Sequence, residues 1–259
     1  MSWLDSEDRG LVRWLTLDRP DVKNAIPFDG WADLRDAFLE FEASSMRVLI
    51  VTGAGGDFCS GAEVDPSRID RLRTVEARRE RMKLVSEAAM ALHRITKPTI
   101  AAVDGYAVGA GMNLALGCDV VVATERARFA EIFVRRGLTL DFGGSWLLPR
   151  VVGAQRAKEL ALTGRIVEAE EALRIGLVVE VVQHEELGTR GAEMAESMLA
   201  GAPLAQMFVK QTLNAADQTG LAEMLSWETD AQSIALGSAD AVEGVVSFME
   251  KRPPEWRGR

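Results

Sequence analysis

The chain has 259 residues, 47% of them hydrophobic, enough to bury a large core as one α/β domain with an appendage or as two domains. A formal net charge of −9 and an isoelectric point near 5.0 argue against nucleic acid as the main partner. No apolar run approaches the roughly 20 residues of a membrane span, the acidic start lacks a signal-like stretch, and Cys59 and Cys118 read as reduced thiols, so a cytoplasmic protein is expected.

In chain order, residues 12–17 alternate as a strand, and residues 31–41 show helical spacing through Trp31, Leu34, Ala37, Phe38 and Phe41. Residues 48–51 form a short apolar strand, residues 68–92 a long charged helix, and residues 99–103 another strand. A small-residue helix over 109–116 precedes a buried strand over 120–123. Strands alternating with helices predict an α/β core with crossover connections. Beyond about Gly153 the pattern becomes helical: 154–162, 168–175, 184–200, 203–216, 221–236 and 239–250, punctuated by Gly164, Gly176, Gly201 and Gly220.

Two glycine-rich turns follow two of the apolar strands. Thr52-Gly53-Ala54-Gly55-Gly56-Asp57-Phe58-Cys59-Ser60-Gly61-Ala62-Glu63 is one, and Asp104-Gly105-Tyr106-Ala107-Val108-Gly109-Ala110-Gly111-Met112-Asn113 is the other. A dinucleotide fingerprint fails in both, because Phe58 and Leu114 stand where its third glycine is needed. No Gly-Lys-Ser/Thr follows either turn, so a P-loop is also excluded. What remains is small residues that let a substrate approach bare backbone N–H groups, the construction of an oxyanion hole. His93 and His184 share no ligand spacing with each other or with the cysteines, so no metal site is expected. His93, beside Arg94 near a helix end, reads as a favourable dipole contact. Gly143-Gly144-Ser145-Trp146-Leu147 fails the Gly-x-Ser-x-Gly elbow of a serine hydrolase.

The residues around the turns carry a resemblance. Phe58-Cys59-Ser60-Gly61-Ala62-Glu63-Val64 resembles a signature segment of the enoyl-CoA hydratase/isomerase (crotonase) family, and residues 98–119 resemble its second signature almost end to end. Leu17-Asp18-Arg19-Pro20-Asp21-Val22-Lys23-Asn24-Ala25 is similar to the family's N-terminal loop, and residues 160–164, 169–176 and 244–253 to its C-terminal pattern. The resemblance implies a spiral of ββα repeats over residues 1–195 that carries an acyl-CoA site. Residues 196–259 would then be a helical C-terminal region that packs trimers, often paired into hexamers. It implies acyl-CoA thioesters as substrates, CoA being part of the substrate, with no metal or separate cofactor. Mapped by motif, the oxyanion donors are the N–H groups of Ala62 and Ala110, preceded by Gly61 and Gly109. Such donors are worth ~3 kcal/mol of barrier each. Lys23 and Ala25 match the loop along the CoA nucleotide. Phe248 and Lys251 match positions that reach CoA from a neighbouring subunit, although Lys251 also suits a solvated helix end.

The oxyanion hole alone does not choose a reaction. Hydration of a 2-enoyl-CoA in this family resembles a two-glutamate design, and the matching positions here hold Asn113 and Phe133, neither of which can act as a base. Glu131 lies out of register and is expected to be partly exposed or structural, and Glu63 to fix its loop. Asp141 is expected to be the base. The segment from Gly137 to Arg150 resembles that of family isomerases with an Asp or Glu base, closest to the phenylacetate-pathway ring-epoxide isomerase branch. Apolar Leu140, Phe142 and Phe133 would raise its pKa. A helix cap before Gly143-Gly144 is the plainer reading of the same residue. The expected reaction moves a double bond from 3-enoyl to 2-enoyl-CoA, with hydration as the alternative. The cations Arg68, Arg71, Arg73, Arg78, Arg79, Arg81 and Lys83 raise a third reading, RNA or acyl-CoA binding without catalysis. Asp70, Glu76 and Glu80 among them favour a solvated, salt-bridged face.

Overall fold

Period-two alternation in the apolar strands decides the layering. The computed structural model of the chain describes residues 3–63 and 71–259. Strand β1 (Leu4–Arg9) turns at Gly10 into β2 (Val12–Leu17), an antiparallel pair. Helix α1 (Trp31–Ala43) leads to β3 (Val48–Gly53), and α2 (Val75–His93) leads to β4 (Thr99–Val103). Then come β5 (Tyr106–Val108), α3 (Ala110–Leu116), β6 (Val120–Thr124) and β7 (Arg128–Ala130). The chain continues through α4 (Gly144–Val152), α5 (Ala154–Thr163), β8 (Val167–Glu168), α6 (Ala169–Arg174) and β9 (Glu180–Val182). It ends in α7 (Leu187–Leu199), α8 (Pro203–Ala215), α9 (Leu221–Leu236) and α10 (Ala239–Glu250).

The large sheet has the order β1-β2-β3-β4-β6-β9, parallel from β2 onward. Leu15, Leu17, Leu49, Val51, Ala101, Val103, Val121 and Ala123 point to the face covered by α1, α2 and α3. Their alternates Val12, Trp14, Val48, Ile50, Ile100, Ala102 and Val122 point to the other face, where Leu187 and Ala195 of α7 close the layer. Burial on both faces explains why these strands read as continuous apolar runs. A smaller layer holds β5-β7-β8 together with the bridges Ile26↔Ala62 and Cys59↔Ala107. Strands β2, β3, β4 and β6 of the large sheet are thus each followed by a segment in the small layer, which makes the chain a spiral.

Several elements differ from the sequence expectation. Helix α2 begins at Val75, where the Thr74 hydroxyl accepts from Ala77 N–H at 3.1 Å, and not at residue 68. Arg68 and Asp70 lie outside the described residues. Residues 184–186 form a 3-10 turn before α7. β1 was not expected, because its charged, exposed residues have no periodicity; it is an edge strand, held by backbone pairing and by Arg13 on Asp8 at 2.7 Å. α4, with Pro149 inside it, was likewise not expected. Among the described residues, no helix is long and apolar enough to cross a membrane.

Candidate active site

Backbone lacing brings the two glycine turns together. Cys59 N–H donates to Tyr106 O at 2.8 Å, and Val108 N–H donates back to Cys59 O at 2.9 Å. On the other side, Ile26 N–H donates to Gly61 O at 2.8 Å and Glu63 N–H to Ile26 O at 2.9 Å. Residues 59–63 therefore lie between residues 24–26 and 106–108. At Gly61, φ is +96°, and a Cβ would stand 2.8 Å from Val108 O and 3.6 Å from Ala110 N, so no side chain fits. Gly109, at φ +57° and ψ −125°, swings the chain so that α3 starts at Ala110. Ala110 N–H belongs to the first helical residue and has no intrahelical acceptor, and neither it nor Ala62 N–H meets any other acceptor among the described residues. Two unspent donors, one at the positive end of a short helix, sit side by side.

The loops are fixed by paired polar side chains. Asn24 is fully buried; it accepts from Arg19 N–H at 2.8 Å and donates to Ala54 O at 2.8 Å and Asp57 O at 2.6 Å. Glu63 accepts from Arg19 at 2.7 Å and from Phe28 N–H at 3.2 Å, as a loop-fixing group would. Lys23 lies 3.3 Å from Asp57 and 4.0 Å from the centre of the Tyr106 ring.

A cavity of about 640 Å³ is lined by Lys23, Ala25, Gly61, Ala62, Gly109, Ala110 and Asp141, together with Phe133, Arg136 and Leu138. Seven of the residues singled out in the sequence thus meet at one place. Phe248 and Lys251 do not line it: both sit at the end of α10, where Phe248 is 85% exposed. Arg136 was not singled out, and nothing in its local sequence marks it.

The far wall is built differently. Asn113, on α3, is fully buried, and its Nδ2 donates to Asp141 O at 3.0 Å. Asp141 Oδ1 is buried without a hydrogen-bond partner. Burial pushes the Asp141 carboxyl up to about 6, against the opposing pull of Arg81. It is not a helix cap: α4 starts at Gly144, Gly143 occupies the cap position, and no side chain caps the helix. The next residue, Phe142, is held at φ +47° with its ring 5.9 Å from that of Trp31, a strained backbone directly after Asp141.

Of the two places expected for Glu131, partly exposed or structural, exposure is excluded. It is 1% exposed, and neither carboxyl oxygen has a properly formed hydrogen bond, although the Asn113 carboxamide adjoins it. Burial first, and then the charge of Asp141, push it up to about 8, with Asn113 opposing. Ala130 and Ile132 line the cavity while Glu131 between them does not, so the side chain turns into the core behind the wall. His93 stands in the last turn of α2, at the helix end as expected, where burial and then Lys210 lower its pKa and its ring packs edge-on to Trp146 at 5.2 Å. Another cavity, of about 570 Å³ between α8 and the core, contains Asp119 and Lys210, which are paired at 2.7 Å. Among the described residues, no cluster of His, Cys, Asp or Glu is arranged to hold a metal ion.

The family described as enoyl-CoA hydratase/isomerase matches residues 7–259. The chain is 36% identical to 1,2-epoxyphenylacetyl-CoA isomerase of Escherichia coli, over 96% of this chain and 95% of that one. It is 38% identical to a probable enoyl-CoA hydratase of Rhodobacter capsulatus, over 95% and 94%. Among solved structures, a putative enoyl-CoA hydratase from Streptomyces coelicolor superposes with a TM-score of 0.94 at 36% identity, covering 100% of this chain and 95% of that one. The enoyl-CoA hydratase from Bacillus anthracis also gives 0.94, at 30% identity with both chains fully covered. A spiral fold shared along its whole length, two laced glycine turns and this extent of identity place the chain in the enoyl-CoA hydratase/isomerase family.

Proposed function

We propose that the chain is an acyl-CoA enzyme that moves a double bond from the 3- to the 2-position of an enoyl thioester. The observation that carries this reading is one unpaired carboxyl, Asp141, in the same cavity as the two unspent N–H groups of Ala62 and Ala110. The thioester oxygen accepts from both N–H groups, which stabilise the enolate as charge moves onto it. Asp141 removes a proton from C2, the negative charge spreads over the dienolate, and the same carboxyl returns the proton to C4. One base serves both carbons, and no other reactant is consumed. With its pKa raised to about 6, Asp141 is a stronger base than an ordinary aspartate and is still mostly ionised at neutral pH. Phe133 and Leu138 give the cavity apolar walls that keep the dienolate from water.

Hydration is the competing reading, and the burial of a second carboxyl, Glu131, near Asp141 is what favours it. Against it, Glu131 does not line the cavity, the Asn113 amide is committed to Asp141 O, and Phe133 offers no polar atom. Binding without catalysis is weaker still. In the charged helix region, Arg71 is paired with Asp29, Arg81 bonds Phe28 O and Lys83 lies near Glu87, as on a solvated, salt-bridged face. Following double-bond migration and water uptake separately on the same short, long and aromatic CoA esters tests the reading. Faster migration than hydration is expected, and rapid hydration that survives Asp141→Asn would overturn it.

Self-association belongs to the same proposal. Leu213, Leu221 and Phe248 on α8, α9 and α10 are 69%, 76% and 85% exposed, an apolar area that a second copy would cover. We expect a trimer or hexamer in which Phe248 and Lys251 of one copy meet the CoA of the next. Sedimentation equilibrium showing only monomer at micromolar concentration would exclude it.

A further inference from the structure

We propose that Glu131 is a positioning acid: held neutral behind the cavity wall, it donates its proton to Asn113 Oδ1, and through the Asn113 amide it fixes the main chain of the base Asp141. The proposal rests on the reading of Asp141 as the base, and it adds a residue that does not touch substrate.

Buried polar atoms without partners cluster here. Among the described residues five such side-chain atoms occur; four belong to Asn113, Glu131 and Asp141, and the fifth is Nε1 of Trp31, whose ring packs against Phe142. The Asn113 amide has one free choice. One N–H of its Nδ2 is committed to Asp141 O, and its buried Oδ1 lacks a donor. An ionised Glu131 offers only acceptors, whereas a protonated one supplies that donor. A single proton on Glu131 therefore gives Asn113 Oδ1 its donor, and burial and the charge of Asp141 favour the neutral form over the smaller opposing effect of the Asn113 contact. The amide cannot swing away freely, because the start of α4 presses on it: a Cβ at Gly144 would lie 2.4 Å from Asn113 Nδ2.

The charges around Glu131 leave this arrangement in place. Asp141, in the loop before α4, repels a second negative charge, and Arg81 on α2 acts on Asp141. Arg135, on the same 3-10 turn, donates to Thr163 O. Arg165, beyond the Gly164 backbone that packs on Glu131 O, is engaged by Glu159 and Glu171. When Glu131 does ionise at alkaline pH, the donor to Asn113 is lost and a second negative charge appears behind the base. The loop through the strained Phe142 is then free to relax, and turnover falls.

The test reads the proton and the turnover separately. Carboxyl 13C NMR of glutamate-labelled protein, with the Glu131 signal assigned by its loss in Glu131→Gln, should show a carboxyl that stays protonated through neutrality. It should titrate at lower pH in Asp141→Asn, where the neighbouring charge is gone. In kinetics, Glu131→Gln keeps a donor, so activity at neutral pH should stay within about threefold while the alkaline fall in rate disappears. Glu131→Met lacks a donor and should lower kcat about tenfold, with KM little changed. A Glu131 signal that titrates with ordinary carboxylates, or an alkaline limb that persists in Glu131→Gln, would overturn the proposal. The NMR measurement needs no substrate. If no isomerisation is found, the functional reading fails, and the Glu131 signal with its response to Asp141→Asn still decides whether the buried acid is coupled to Asp141.

Discussion

The cavity has two unlike walls. On the side of the glycine turns, the supporting side chains are paired: Asn24 makes three hydrogen bonds, Glu63 meets Arg19, and Lys23 meets Asp57. What that wall presents to a ligand is backbone. On the opposite side, Asp141, Asn113 and Glu131 leave buried polar atoms unmatched, and Phe142 is held in a strained conformation. A folded chain rarely tolerates such unmatched groups, because each costs roughly 1–3 kcal/mol. One wall is built for fixed geometry, and the other keeps buried polar groups uncommitted. Substitutions on the first should act through shape and stability, and on the second through protonation.

The largest effect is expected from Asp141→Asn, which keeps size and removes the proposed base. The rate of 3-enoyl to 2-enoyl conversion should fall by ~100-fold or more, with substrate affinity nearly unchanged. An equal loss in substrate binding would mean that both walls act through shape. Next comes Ala110→Pro on the backbone wall, which deletes one N–H at a position where proline suits the first helical turn. Turnover should drop by about 100-fold, with circular dichroism unchanged. Asn24→Ala touches neither reacting group, yet it leaves Arg19 N–H, Ala54 O and Asp57 O without their partner. Urea unfolding should show a loss of roughly 2–4 kcal/mol, and the rate should suffer less than in either site variant.

The smallest effect is the one most specific to the unmatched wall. Glu131 has its folded pKa raised from 4.5 to about 8. The group's contribution to stability is therefore fully present below 4.5, and it is lost as pH rises toward 8. Glu131→Gln has no such loss. Its stability relative to wild type should rise across that window and level off above it. A difference that does not vary with pH would show that Glu131 titrates normally and that the two walls do not differ in this way.

Individual residues show what could be read in the sequence. Residues 99–103 are five apolar or β-branched residues between Pro98 and Asp104, and β4 spans the same five. β5, β7 and β8 have only two or three residues each, too few for any period to show, and they exist because the spiral lays them beside one another. The partial exposure expected of Glu131 fails for a related reason. From β7 onward the chain alternates: Phe129 is buried, Ala130 lines the cavity, Glu131 is buried and Ile132 lines the cavity. That two-residue period was a usable signal, but a charged side chain by itself argues for the surface, and only the fold shows which side is the core.

By itself, the sequence determined the apolar strands, the boundaries of α9 and α10, and the glycine turns. These follow from local periodicity, from turn residues, and from the sterics that admit only glycine at positive φ beside another backbone. The tertiary structure brings residues 23, 25, 61–62, 109–110 and 141, far apart in the chain, to one cavity. It also decided that Asp141 goes unpaired and that Glu131 faces inward beside Asn113. The physical reason is that a carboxyl group's charge and basicity are set by its burial and by its neighbours in space, and no stretch of sequence around Asp141 or Glu131 contains those neighbours.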